Sequence, residues 1–289
     1  HCLFCTTLNY SIKELRKRHI LMKKSVLLFL LFSNFFCFAQ YTLIPDSNFE
    51  KALIDLGIDT GAIDGKVLTA RVSGVPQLDV TSKNITDLTG IQDFLALSGL
   101  HCMDNALTNL DISKNTALTV INCNNNQLVG LDITKNTSLT ILNCEQNKLT
   151  SIDVSKNTAL TFFGGSSNQF TNLDVTKNNV LTDLNCNSNL LTTLDISKNT
   201  FLTGLFCANN KLTSLDITKN TLLTGLNCAS NQLTSLDVTI NTALTGFTCE
   251  FNQLTSLDIT NNNALTNFSC SNNRLNSLDV TKNTALTVI

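Results

Sequence analysis

The hydrophobic and polar positions of this chain repeat with a period of 21 residues from about residue 100 onward. Each period holds two copies of the pattern L-x-x-L-x-L-x-x-N, as in residues 118–126 and 128–136. Apolar residues alternate with polar ones inside each copy, which is the pattern of a strand with one buried face. Two strands and two turns leave no room for an ordinary helix. The pattern predicts a mainly β solenoid, a leucine-rich repeat stack of about nine 21-residue coils with parallel strands.

Three polar or weakly polar residue types recur with the same period. We expect the cysteines to point inward with Leu and Ile, and the asparagines to bond turn backbone groups and one another. We expect each aspartate to lie on the outer surface of a second sheet. Because one coil cannot bury both of its faces, stability must come from stacking. The cysteine series is Cys102, Cys123, Cys144, Cys186, Cys207, Cys228, Cys249 and Cys270, with Gly165 at the skipped position, and Asn105–Asn273, Asn115–Asn283 and Asp111–Asp279 are the other series.

The segment before the coils contains a predicted leader and a predicted cap. Residues 22–39 combine two lysines, an apolar run and a small residue before Gln40, which predicts a signal peptide, with residues 1–21 as an upstream, non-native read-through. The apolar run is short for a membrane anchor, which is the alternative. "IPDSNFEKALIDLGI" predicts a helix in a small N-terminal helical cap, residues 40–78. We expect the solenoid to span residues 79–289 and to be truncated at its C-terminal end.

Charge and reactive residues argue against several classes of function. A formal charge of −2 with 15% charged residues offers no basic surface for nucleic acid. His101 has no Ser or Cys partner at a distinctive spacing, so we expect no enzyme and no cofactor. We expect the repeat cysteines to be free and buried; disulfides and zinc are alternatives, disfavoured by parallel side chains and by the lack of a C-x-x-C pair.

Two surface columns have functional alternatives. A lysine follows most of the aspartates by three residues, which predicts a self-compensating charged face, with calcium along the Asp column as the alternative. A threonine column, from Thr119 to Thr266, raises ice binding as a further alternative. Ice-binding faces usually carry two threonines on one strand, whereas here a single threonine lies beside an inward leucine, near a turn.

The outward positions of the Cys-bearing strand are those that vary between coils, so we place any ligand there. Phe206 and Phe251 are the candidate anchors, because an exposed aromatic among polar neighbours is costly unless it is used. The alternative is that they are isolated surface aromatics without function. The candidate ligand-binding residues are Asn185, Phe206, Asn227, Thr248, Glu250 and Phe251.

The cap-like "IPDSNFEKAL", the entry "LDVTSKNITDLTGIQDF" and the unit "LTxLxCxxNxLTxLDVTxNTA" resemble secreted bacterial leucine-rich repeat proteins. They are most similar to the cysteine-containing branch of the internalin family, and the style also resembles secreted Bacteroidetes proteins. The resemblance spans about residues 41–289 and implies a secreted or cell-surface binding module for a protein or glycan ligand. We expect a monomer without membrane insertion after signal cleavage. A structural spacer or stalk that presents a further C-terminal domain is the alternative.

Overall fold

A computed structural model describes residues 40–287 of the chain. The predicted read-through and signal peptide, residues 1–39, lie outside the described residues. Across residues 40–287, none of the helices has the length and apolar character needed to cross a membrane.

A small cap precedes the coils and contains the predicted helix. Asp46 begins this helix, since its Oδ1 accepts hydrogen bonds from the backbone N–H groups of Asn48 (2.9 Å) and Phe49 (3.0 Å). The Phe49 ring is fully buried and stacks on Phe94, with ring centroids 6.3 Å apart. The helix thus covers apolar residues at the entry to the repeats. The cap comprises the antiparallel strands β1 (Tyr41–Leu43) and β2 (Lys66–Leu68) and the helices α1 (Ser47–Asp55) and α2 (Thr69–Val72).

The coils form one parallel sheet of ten three-residue strands that pair in chain order. The middle residue of each strand is buried, and the first and third residues face outward. This confirms the predicted leucine-rich repeat solenoid. The predicted boundary between residues 78 and 79 lies inside β3. The strands are β3 (Gln77–Asp79), β4 (Gly99–His101), β5 (Val120–Asn122), β6 (Ile141–Asn143), β7 (Phe162–Gly164), β8 (Asp183–Asn185), β9 (Gly204–Phe206), β10 (Gly225–Asn227), β11 (Gly246–Thr248) and β12 (Asn267–Ser269), with a 3₁₀ turn at Ile91–Asp93.

The predicted second strand of each coil is wrong. Leu131 and Ile133 are buried as expected, but the segment between them is irregular. Asp132 Oδ1 accepts hydrogen bonds from the backbone N–H (2.9 Å) and the hydroxyl (2.7 Å) of Thr134, which closes a local turn. Such side-chain bonds compete with a strand ladder. The Asp column therefore lies on a series of turns.

A ladder of buried asparagines takes the place of a second sheet. Asn136 Nδ2 donates to the carbonyl oxygens of Ile112 (3.1 Å) and Asn115 (2.9 Å) in the preceding coil. The predicted ladder is confirmed, but each amide bonds backbone carbonyls rather than the next amide. The Asn136 Oδ1 atom has no partner within the described chain. The fold uses only the NH₂ donors of this side chain. The oxygen is left over because an uncharged side chain carries an NH₂ group only as part of an amide.

The cysteines lie in the core, and one coil replaces its cysteine with larger rings. Seven of the eight repeat cysteines are buried, Cys270 is partly buried, and all eight are free. A Cβ atom built on Gly165 would lie 2.7 Å from Phe163 Cε1 and 2.9 Å from Phe170 Cε2. Other coils mostly carry Leu where these phenylalanines stand. The rings therefore fill the space of the missing thiol, and β7 keeps its register with β6 and β8.

Candidate binding surface

Four of the predicted ligand-binding residues form one row on the outward sheet face. Asn185 pairs in register with Phe206, Phe206 with Asn227, and Asn227 with Thr248. Each is the third residue of its strand. With strands about 4.8 Å apart, the row is about 14 Å long. Phe206 is 37% exposed, and the other three side chains are half-buried.

The remaining two predicted residues lie just beyond β11, at the end of the row. Glu250 Oε1 accepts hydrogen bonds from the hydroxyls of Ser269 and Ser271. Phe251 is 55% exposed and has a φ of +51°. The same left-handed position in other coils holds Asp, Asn, Gln or Ser. This conformation is unfavourable for a bulky side chain, so Phe251 is strained while its ring faces solvent.

A floor of three glycines lies beside the row and was missed by the sequence analysis. Gly204, Gly225 and Gly246 are the first residues of β9, β10 and β11, and they pair in register. The Phe206 ring leans over two of them: its Cε2 lies 3.1 Å from a Cβ built on Gly204, and its Cζ lies 3.8 Å from one on Gly225. Nothing lies within 4 Å of the corresponding point at Gly246. The repetition of Gly at this position was the signal in the sequence.

An exposed apolar rim precedes the same strands and was also missed. Val180, Phe201 and Leu222 occupy one position in three successive coils and are 43%, 55% and 48% exposed. Other coils have Ala or Ser there. This column lies in the turn before each strand, whereas the alternating pattern marks only strand positions as outward.

The sheet face is acidic. From β5 to β12, the outward strand residues and the residue after each cysteine position include Glu145, Asp183 and Glu250 but no Lys or Arg. Glu145 Oε1 accepts a hydrogen bond from Asn185 Nδ2 at 2.7 Å, and Asp183 Oδ2 accepts one from the Thr182 hydroxyl at 2.9 Å. The face therefore presents negative charge without a compensating cation of its own.

The Asp column lies away from the parallel sheet, and its carboxylates hold the turns of the coils. The hydrogen bonds from Thr134 lower the pKa of Asp132, with Lys135 as a smaller cause. The only ion pairs within residues 40–287 are Lys51–Asp55 and Lys66–Asp64. The predicted self-compensating face is therefore not built from ion pairs, because turn hydrogen bonds hold the carboxylates.

Two grooves lie along the Asp column. The larger, of about 490 Å³, is lined by Asp174, Asp195 and Asp216, and the smaller, of about 380 Å³, by Asp111 and Asp132. Among the described residues, no group of three or more His, Cys, Asp or Glu side chains is placed to hold a metal ion.

The threonine column is likewise used inside the stack. Thr203 Oγ1 donates to the carbonyl oxygen of Thr182 at 3.2 Å, and Thr224 Oγ1 donates to that of Thr203 at 3.1 Å. These hydroxyl hydrogens bond the preceding coil and are not directed at solvent. The observation disfavours the ice-binding alternative.

Several solved structures share this fold. The functional domain of internalin J from Listeria monocytogenes, described as including a cysteine ladder, has 37% sequence identity and a TM-score of 0.73, covering 86% of this chain and 61% of that one. Internalin F from the same species has 16% identity and a TM-score of 0.53, covering 85% and 95%. The ectodomain of the receptor kinase GASSHO1/SCHENGEN3 from Arabidopsis thaliana, solved in complex with Casparian strip integrity factor 2, has 20% identity and a TM-score of 0.66, covering 72% and 28%. No protein-family model and no curated protein matches the chain.

Proposed function

From the premise that this chain is an internalin-like leucine-rich repeat protein, we propose that it is a secreted or cell-surface module that binds a protein partner on its sheet face. The observation that carries the proposal is the concentration of exposed apolar side chains around one part of that face. Phe201, Phe206, Leu222 and Phe251 all belong to the coils from β8 to β12. Contiguous exposed apolar groups mark interaction sites, and aromatic residues are common binding hot spots.

The conformation of Phe251 supports the same assignment. A residue held at positive φ costs stability, and such strain is found most often at functional sites. Here burial offsets the strain only in part, since Phe251 is 55% exposed. A bound partner that covers the ring would supply the missing contacts.

The proposed role is non-catalytic. The repeat cysteines are free, and burial raises the pKa of Cys123 and Cys207 to about 12, which keeps these thiols protonated and unreactive. His101 Nδ1 is hydrogen-bonded to the amide Nδ2 of Asn122 at 2.9 Å. The fold supports a binding role, since the plant ectodomain of the same fold was solved with a partner bound.

A pair of matched double variants tests the proposal. The purified protein is screened on arrays of extracellular proteins and of glycans, together with Phe206→Ala/Phe251→Ser and with Asp195→Asn/Asp216→Asn. We expect a protein ligand whose affinity falls at least about tenfold in the phenylalanine variant and is unchanged in the aspartate variant. Loss of binding only in the aspartate variant would show that the ligand binds at the Asp column and not on the sheet face. A hit only among glycans would overturn the class of ligand, and no hit on either array would favour the spacer role.

A further inference from the structure

We propose that Asp183 and Phe206 form a notch over Gly204 that receives an arginine side chain of the protein partner. The proposal rests on the function proposed above and names the chemistry of one contact within it. Two groups of complementary character meet at this point of the sheet face, a carboxylate and an aromatic ring. Together they match a guanidinium, which donates its N–H groups to a carboxylate and stacks its flat face on an aromatic ring.

The glycine makes the notch possible. A Cβ atom on Gly204 would lie 2.6 Å from Asp183 Oδ1 and 3.1 Å from Phe206 Cε2. Both groups therefore rest on the bare backbone of β9, and Gly204 is buried beneath them. Any larger residue would push the carboxylate and the ring away from this point.

The Asp183 carboxylate is only partly used. Its Oδ2 accepts a hydrogen bond from the Thr182 hydroxyl, whereas Oδ1, the atom over Gly204, accepts none within the described part of the chain. The neighbouring Asn185 is bonded to Glu145, so a second carboxylate lies on the same face. No Lys or Arg lies among the outward strand residues from β5 to β12. The missing positive charge is what a partner would bring.

The room beside the notch fits the rest of a polypeptide segment. Gly225 and Gly246 continue the floor across two more strands, and the space above Gly246 is open. Asn227 and Thr248 line the floor with hydrogen-bonding side chains. The apolar rim at Phe201 bounds it on the other side. A chain can lie over the glycines while its arginine reaches the Asp183 carboxylate.

The probe for the test is a blocked pentapeptide, acetyl-Gly-Gly-Arg-Gly-Gly-amide, and its control replaces arginine with citrulline, a neutral isostere. Labelling the protein only with ¹⁵N-glycine reduces its NMR spectrum to the twelve glycines of the chain. We expect the arginine peptide to shift the amide signals of Gly204 and Gly225 in a saturable way. The citrulline peptide should bind at least about threefold more weakly than the arginine peptide. Salt at about 0.5 M should weaken the binding of the arginine peptide.

Three variants complete the experiment. Asp183→Asn keeps the shape of the side chain and loses its charge. Phe206→Leu keeps an apolar group and loses the ring. Each substitution should lower the affinity for the arginine peptide at least about threefold. Asp195→Asn, on the Asp column, should change nothing. Equal shifts with citrulline, or full binding to Asp183→Asn, would overturn the notch. A lysine peptide that binds as tightly as the arginine peptide would overturn the preference for arginine.

The outcome also separates the two proposals. If the peptide does not bind but the array ligand is lost in the phenylalanine variant, the face binds a partner without this notch. If the peptide binds while the array ligand is retained in every sheet-face variant, the notch exists and the proposed function of the face is wrong.

Discussion

Glu145 Oε1 accepts a hydrogen bond from Asn185 Nδ2 at 2.7 Å, although a whole coil lies between the two residues. Gly164 occupies the intervening strand at the point where the Glu145 side chain crosses. A Cβ atom there would lie 3.0 Å from Glu145 Oε1 and 3.2 Å from Asn143 Oδ1. The two glycines of the irregular coil thus have separate uses: Gly165 admits two rings to the core, and Gly164 lets a carboxylate cross the surface.

The energy of this crossing is measurable by a double-mutant cycle. Glu145→Ala and Asn185→Ala should show a coupling of about 1.5 kcal/mol in urea unfolding, because the bond has a charged acceptor. Asn122→Ala with Asn185→Ala is the matched control, because Asn122 bonds His101 and shares no partner with Asn185. These two should be additive within about 0.5 kcal/mol. A Glu145–Asn185 coupling no larger than the control would mean that the bond does not form in solution.

The buried asparagine ladder predicts a large loss of stability from one small change. Asn199 Nδ2 donates to the carbonyl oxygens of Val175 (3.0 Å) and Asn178 (2.8 Å). Asn199→Ala removes both bonds, so we expect the free energy of unfolding to fall by about 2 kcal/mol. Each carbonyl oxygen keeps one backbone donor, the N–H of Asn178 for Val175 and the N–H of Leu181 for Asn178. Thr200→Ala, at the exposed neighbouring position, should change it by less than about 0.5 kcal/mol. Similar denaturation midpoints for the two variants would refute a structural role of the amide.

Restoring the missing cysteine should destabilise the protein. In Gly165→Cys the new side chain would overlap the rings of Phe163 and Phe170, and overpacking of this kind costs about 1–3 kcal/mol. The triple variant with Phe163→Leu and Phe170→Leu recreates the core of the other coils and should recover most of that loss. Thermal unfolding followed by circular dichroism compares the three proteins. A single Gly165→Cys variant as stable as the parent would disprove the volume exchange.

Phe251→Asn should raise stability, which is unusual for the loss of an aromatic residue. Asn adopts the left-handed conformation more readily than Phe, so we expect the free energy of unfolding to rise by about 1 kcal/mol. Asn209 occupies the equivalent position, and Asn209→Phe should lower stability by a similar amount. If Phe251→Asn is destabilising, the ring contributes to folding and the strain argument for binding fails.

Stability should fall on both sides of a broad pH plateau. Burial raises the pKa of Cys207 to about 12 in the folded protein, above the unfolded value of about 8.5. The resulting stability is complete below the unfolded pKa and is lost as the pH rises toward 12. Turn hydrogen bonds lower the pKa of Asp195, so its contribution is present above about pH 3.9 and is lost as the pH falls below that value.

Urea midpoints measured across the pH range separate these groups. Cys207→Ala should make the alkaline decline shallower by up to about 1.4 kcal/mol per pH unit, whatever its effect at neutral pH. Asp195→Asn should leave the alkaline limb unchanged and soften only the acid limb. An alkaline limb with the same slope in Cys207→Ala would show that this thiol is not the titrating group.

Residue periodicity predicted the interior of the coils well and their hydrogen bonding less well. Leu131 and Ile133 are buried as expected, yet alternating burial does not distinguish a strand from a turn that the Asp132 side chain closes. On the surface, the outward position of Phe206 followed from the same alternation. The role of Gly204 was not predicted, because the alternation of apolar and polar side chains carries no information about a residue without a side chain.

The asparagine bonds also determine how the gene of such a protein can change. Asn115 donates to the carbonyl oxygens of Ile91 and Phe94 in the entry segment, and Asn136 makes two equivalent bonds to the coil that contains Asn115. Every junction along the stack is therefore chemically alike. Recombination between near-identical repeats can add or remove whole coils without creating a junction that needs new residues. The reach of the protein then changes in increments of about 4.8 Å, whereas a shift by part of a coil would bring polar residues to the core and be eliminated.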